Sequence, residues 1–137
     1  MLNRVVAFFI SGILVNLLLI ASPITANAFY KEDTVLKTVL VFNFITGEEP
    51  VKNKIIEILK NNEKAKRIVE GAQKLNPADE KKLNGNAYWL LARVAQELRE
   101  NEAAVDFYNK FLVDAKKLGS GQKMAAGYGP LIQILFD

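Results

Sequence analysis

From residue 46 onward the chain is cut at short intervals by residues that stop helices: Thr46-Gly47, Asn61-Asn62, Asn76-Pro77, Asn84-Gly85 and Gly119-Ser120-Gly121. Between the stops, apolar residues recur at helical spacing. Ile55, Ile56 and Leu59 share a face in the segment that Pro50 opens as a favourable first-turn residue. Ala65, Ile68, Val69 and Ala72 do so over Glu63–Leu75, and Asn76-Pro77 ends that segment. Asp79–Leu83 is charged and reads as one loose turn. Asn86 is the expected cap of a helix to about Arg99, built from unbroken good helix formers, and Asn101 of another to Leu118. A last segment, Gln122–Phe136, is expected to break at Gly127-Tyr128-Gly129-Pro130. Residues 34–46 stay open between two states. Asp33 suits a helix N-cap, whereas the β-branched run Val35, Thr38, Val39 and Val41 suits a buried strand. Short helices joined by short turns predict an all-α fold, a short stack of antiparallel helical hairpins.

The N-terminus carries a different signal. Met1–Arg4 is short and positive, Val5–Ile20 is apolar, and Ala26-Asn27-Ala28 follows Pro23 as a small-residue cleavage pattern. That order predicts a secretory signal peptide over residues 1–28, with a single helical domain over residues 29–137. The alternative is an uncleaved anchor, but a spanning helix needs about 20 apolar residues and this run is shorter and contains Asn16. The expected destination is the periplasm or the exterior. Contact with a membrane is expected only through this segment before cleavage.

Composition removes several function classes. The chain has no cysteine and no histidine, so thiol nucleophiles, disulfides and imidazole chemistry are absent, as are Cys/His metal sites. Without Arg4, the sole charge in residues 1–28, the eighteen Lys and Arg become seventeen against fifteen Asp and Glu, a net of +2. Such a balance is no footprint for nucleic acid. Ser120 is the one serine beyond residue 28, with only Lys123 as a nearby base, and reads as part of a flexible Gly-Ser-Gly link. Neighbouring acids such as Asp79-Glu80 point in different directions on a helix and make poor acid–base pairs. An enzyme acting on glycan through more distant carboxylates finds no dyad either. The expectation is a protein that is not an enzyme, with no catalytic residues, metal or cofactor.

Two stretches carry a family likeness. Tyr88-x₂-Leu91-Ala92-x₂-Ala95 followed by Ala104-x₃-Tyr108 keeps the spacing W-x₂-L-G-x₂-Y and A-x₃-F. Ala65-x₃-Val69, Ala72 and Pro77 match the second half of an earlier unit. Over residues 50–118 the chain resembles a tetratricopeptide-repeat (TPR) protein, with departures. Ala65 and Ala104 lie 39 residues apart, not 34, Lys52 and Asn53 replace the large–small pair, and bulky Phe111 stands where alanine is usual. A large side chain there is expected to push the next helix away or to end the stack.

Trp89, Arg93, Gln96 and Glu100 fall on one helical stripe, apart from the packing face of Tyr88, Leu91, Ala92, Ala95 and Leu98. Arg93 sits one turn below the sole tryptophan, within reach to stack on it. The resemblance implies a concave peptide groove lined by Asn86, Trp89, Arg93 and Gln96, with Lys54 and Glu57 at the equivalent positions of the preceding unit. The competing reading packs Trp89 into the core. The function expected is a non-catalytic module that binds another protein or peptide. The alternative is a self-associating envelope subunit, using the apolar terminus Leu131–Phe136, which otherwise serves as a capping helix. The leader makes a first prediction: the chain recovered after export starts at Phe29 by N-terminal sequencing, and membrane-bound material retaining residues 1–28 contradicts it.

Overall fold

Helices form between the stops, and most of the stops supply a cap. In the computed structural model, which describes residues 34–136, α1 covers residues 34–42. It is followed by α2 (Glu48–Leu59), α3 (Asn62–Gln73), α4 (Pro77–Glu80), α5 (Gly85–Glu97), α6 (Asn101–Lys117) and α7 (Gly121–Phe136). No strand occurs among the described residues, and the fold is all-α. Everything from Val35 onward belongs to one packed unit. The expected leader, residues 1–28, and the expected cap Asp33 lie outside the described residues. None of the described helices is long and apolar enough to cross a membrane.

Asparagine does most of the capping. The side chain of Asn61 accepts from the Lys64 N–H at 3.1 Å, that of Asn76 from Asp79 at 2.9 Å, and that of Asn84 from Ala87 at 3.3 Å. Pro77 fills the first position of α4, where a missing N–H costs nothing. Glu48 and Glu49 lie in the first turn of α2, the favourable end of the helix dipole for acids.

Several boundaries differ from the sequence expectation. Residues 34–42 are helical despite their β-branched side chains, because Val39 and Phe42 are fully buried in the core and tertiary packing outweighs propensity. The helix stops at Phe42, short of the residue 46 boundary expected from the sequence. Asp79 and Glu80 are the end of the short helix α4, not a loose turn. The cap of α5 is Asn84, not Asn86, and Asn101 is already helical in α6, behind Glu100, which makes no side-chain cap. The Gly119–Gly121 link is a tight helix-to-helix joint. Gly119, at φ +65°, bonds back to the Lys116 carbonyl and Ser120 N–H to that of Ala115, which closes α6. Ser120 Oγ then accepts from the Lys123 N–H at 3.1 Å and caps α7. Finally, α7 runs unbroken through Pro130. Its neighbour Gly129 has no Cβ to clash with the proline ring.

The core runs through the stack. Val51, Ile55 and Ile58 of α2 and Ala65, Ile68, Val69 and Ala72 of α3 bury one face of the first hairpin. Seven of the thirteen residues of α5 are buried, which leaves that helix little exposed surface. Ala103, Ala104, Phe107, Tyr108, Phe111, Leu112 and Ala115 of α6 complete the second hairpin. On α3, Val35 of α1 lies over Gly71, where a Cβ would come within 2.8 Å of its methyl groups. Similarly, α7 settles on α6 through Gly127, where a Cβ would come within 2.7 Å of Leu112 and 3.1 Å of Phe111. Phe111 therefore neither repels the next helix nor ends the packing, because glycine faces it.

Asn43 ties the end of α1 to the α4–α5 joint. Its Nδ2 donates to the Lys82 carbonyl at 2.8 Å and its Oδ1 accepts from the Asn84 N–H at 2.9 Å. Its backbone carbonyl accepts from the side-chain amides of Asn84 and Asn86 at 3.2 and 3.1 Å. The α5–α6 joint closes as the α6–α7 joint does, with Arg99 N–H bonded to the Gln96 carbonyl and Glu100 N–H to that of Ala95. Here, however, an arginine rather than a glycine occupies the left-handed position, at φ +61°. Arg99→Gly is accordingly expected to raise stability by about 0.5–1 kcal/mol, the relief of backbone strain exceeding the added entropy of the unfolded chain. The expected signature is a higher urea midpoint at an unchanged slope.

Candidate functional site

The sole tryptophan stands on the α5–α6 edge. Its ring meets Tyr108 edge-on, with centroids 5.7 Å apart, and lies tilted against Phe111 at 5.1 Å. Both partners are on α6 and buried, whereas Trp89 itself is half-buried. Arg93 places its guanidinium carbon 5.8 Å from the centre of the Trp89 ring, as its position one turn away predicts. Gln96 accepts a 2.6 Å hydrogen bond from the Tyr108 hydroxyl. Trp89, Arg93 and Gln96 thus converge on one group, with Tyr108 at its base.

The stripe expected to stand apart from the packing face is therefore part of the α5–α6 contact along one edge. A helical wheel drawn for α5 alone cannot show that aromatic side chains of α6 reach round to meet it. In the sequence Tyr108 stands out only as part of the A-x₃-F spacing and Phe111 only as a misfit to it, yet together they form the support that fixes the tryptophan ring.

The other expected residues go elsewhere. Asn86 is half-buried and uses its amide inside the fold, on the Asn43 carbonyl. Lys54 and Glu57 pair with each other on α2 at 3.3 Å, and Glu57 is exposed. That pair is a local i,i+3 contact of small energetic weight.

A second feature is an open cleft of 380 Å³ beside the α4–α5 joint, lined by Glu80, Leu83, Tyr88, Lys110 and Asp114 among others. Lys110 pairs with Glu80 at 2.5 Å and with Asp106 at 3.3 Å, and its ammonium stands 5.8 Å from the Tyr88 ring centre. Burial works against the charged ammonium, but the bond to Glu80 and the nearby carboxylates outweigh it and hold Lys110 above its ordinary range. Tyr88 donates to the Glu80 carbonyl at 3.3 Å, and burial with the Glu80 charge pushes its hydroxyl pKa up. Glu80, Tyr88, Lys110 and Asp106 already have partners from the protein. Among the described residues no cluster of carboxylates could hold a metal ion.

No family model matches the chain, and neither a curated protein nor a solved structure does.

Tyr108 gives a pH test of the site. Burial pushes its hydroxyl from 10.0 up to about 12, with Arg93 opposing and Glu97 adding. The unfolded chain releases that proton near pH 10 while the folded chain keeps it, so stability falls as pH rises from 10 to 12. Tyr108→Phe is expected to be less stable at neutral pH by about 1 kcal/mol, through loss of the bond to Gln96. Its thermal midpoint should then decline less steeply than the wild type between those pH values. Parallel slopes would mean that Tyr108 does not set the alkaline limit.

Proposed function

We propose that this chain is an exported, non-catalytic helical module of the TPR-like kind, which binds a segment of another protein or a peptide on the α5–α6 edge. The observation that carries the reading is the aromatic platform: a half-buried Trp89 held by Tyr108 and Phe111, with Arg93 over its face. A ring whose orientation is fixed loses little entropy when a partner covers it, and Trp and Arg are the residue types richest in binding energy at interfaces. Arg93 adds a charged donor suited to carboxylates or carbonyls on the same segment. Paired helices α2–α3 and α5–α6, with small residues where they approach, support the TPR-like reading. The apolar run before Ala26-Asn27-Ala28 supports export.

Binding, on this reading, is docking onto a preformed surface. Gln96 is held by Tyr108 and sets the lower boundary of the platform. Asn86, Lys54 and Glu57 already have partners in the fold, so they lie at the margin of the proposed surface.

The test uses paired variants, because Trp89 also contributes to packing. Arg93→Glu removes the cation without touching the core and is expected to leave the thermal midpoint nearly unchanged. It should weaken capture of a partner from an envelope extract at least tenfold. Trp89→Phe keeps an aromatic ring against Phe111 and should weaken capture with a modest loss of stability. The emission of the sole tryptophan should shift to the blue when the captured partner is added back. Capture unaffected by both variants, or wild-type emission unchanged when the partner is added, would remove the α5–α6 edge from consideration.

A further inference from the structure

The outer flank of α7 carries a second apolar stripe, separate from the one that docks on α6. The helix buries Gly127 and Leu131. Beside that line, Gly121, Ala125, Tyr128, Gly129, Ile132 and Phe136 follow one another at i, i+4, i+7, i+8, i+11 and i+15, a contiguous helical face. All six are exposed. The large ones are 39% exposed at Tyr128, 54% at Ile132 and 83% at Phe136, and adjoining Leu135 is 62% exposed.

The stripe is graded. Its N-terminal half is small and open: a Cβ added to Gly121 or to Gly129 would meet nothing within 4 Å. Its C-terminal half is bulky. A surface that is flat at one end and raised at the other is complementary to itself when turned end for end. We propose that this face of α7 binds a second copy of the chain, α7 crossing α7 antiparallel about a two-fold axis near Gly129. Ile132 and Phe136 of one copy then lie over Gly121 and Ala125 of the other, and both contacts occur twice, as an isologous interface requires.

Charge and area agree with that occupant. Lys123 is the one charged residue in Gly121–Phe136 and lies on a different flank, and the cation beside the stripe, Lys116 of α6, is 5.9 Å from the centre of the Tyr128 ring. The facing helices themselves carry no charge on the stripe, and each copy's Lys116 stands over its own Tyr128 ring at the border of the contact. At these exposures, and about 200 Å² for a large side chain fully exposed, the four bulky residues present roughly 480 Å² per copy. The two faces together present roughly 1,000 Å², the lower edge of specific interfaces, so the dimer is expected to be weak. The surface is independent of Trp89, so the dimer and the proposed binding edge stand or fall separately.

Sedimentation equilibrium of the chain as recovered after export, from about 1 to 500 µM, reads the proposal directly. The expected result is a monomer–dimer equilibrium with no larger species. Ile132→Lys, on the raised half, and Ala125→Arg, on the flat half, should each weaken the dimer at least tenfold. Far-ultraviolet circular dichroism and the melting of dilute protein should stay as in the wild type, since both positions are exposed. Lys123→Ala should leave the equilibrium alone. A chain that stays monomeric throughout overturns the proposal. So does a dimer indifferent to either substitution, and so does growth into open-ended oligomers, which excludes a closed two-fold. Should either variant lose helicity, Gln133→Cys spin labels on the other flank give a second reading: label pairs at a defined separation support the dimer, and their absence at 500 µM overturns it.

Discussion

A helix with little solvent face dominates this fold. Leu90, Leu91 and Val94 of α5 are almost wholly shielded, each worth about 1.5–3 kcal/mol of apolar burial, and Ala87, Ala92 and Ala95 between them keep the neighbouring backbones close. Across the hairpin, Ala103, Ala104 and Ala115 do the same for α6. Small residues at the contact and large ones beside it define how near the helices can come. That spacing in turn decides what else is possible. Tyr108 and Phe111 reach Trp89 only because α5 and α6 lie so close, and Asn84 and Asn86 reach Asn43 only because α5 begins where it does.

Polar groups then select one arrangement among those the apolar residues would accept. Hydrophobic contact alone would tolerate α1 sliding along the stack, but the bonds centred on Asn43 tolerate a single register. Asparagine is suited to this task because its side chain both donates and accepts. The lysine at position 110 plays a comparable part between α4 and α6. Its bond to Glu80 ties a short helix, with no buried residue of its own, to a long one, and Asp106 steadies the lysine from within α6.

Much of the fold was legible in the sequence, and the failures share a cause. The periodicity of Ala65, Ile68, Val69 and Ala72, and the breaks at Asn61 and Asn76, located α3 because those signals are local. Asn84 and Asn86 are equally good caps by local chemistry, and only the long-range contact with Asn43 separates them. The β-branched run of α1 favoured neither helix nor strand until a core existed to receive Val39 and Phe42. Pro130 argues for a break, yet packing of Gly127 and Leu131 on either side of it carries the helix through. For the candidate site, the nearness of Arg93 to Trp89 followed from spacing on a single helix. The aromatic support beneath the tryptophan did not, because it comes from the neighbouring helix.

Pro130 has one more effect. It can give no N–H to the Ala126 carbonyl, so the middle of α7 lacks one of the bonds that propagate a helix, and only Gly127 and Leu131 are buried there. Cooperativity is therefore uneven along the chain. The last helix packs chiefly on α6, while the hairpin before it is bound on several sides, and local opening follows the side with fewer neighbours. The sole tryptophan sits on the tightly bound part. An optical probe of Trp89 accordingly follows the fate of the α5–α6 hairpin, and feels the loosening of the C-terminal helix only through Phe111, which touches both.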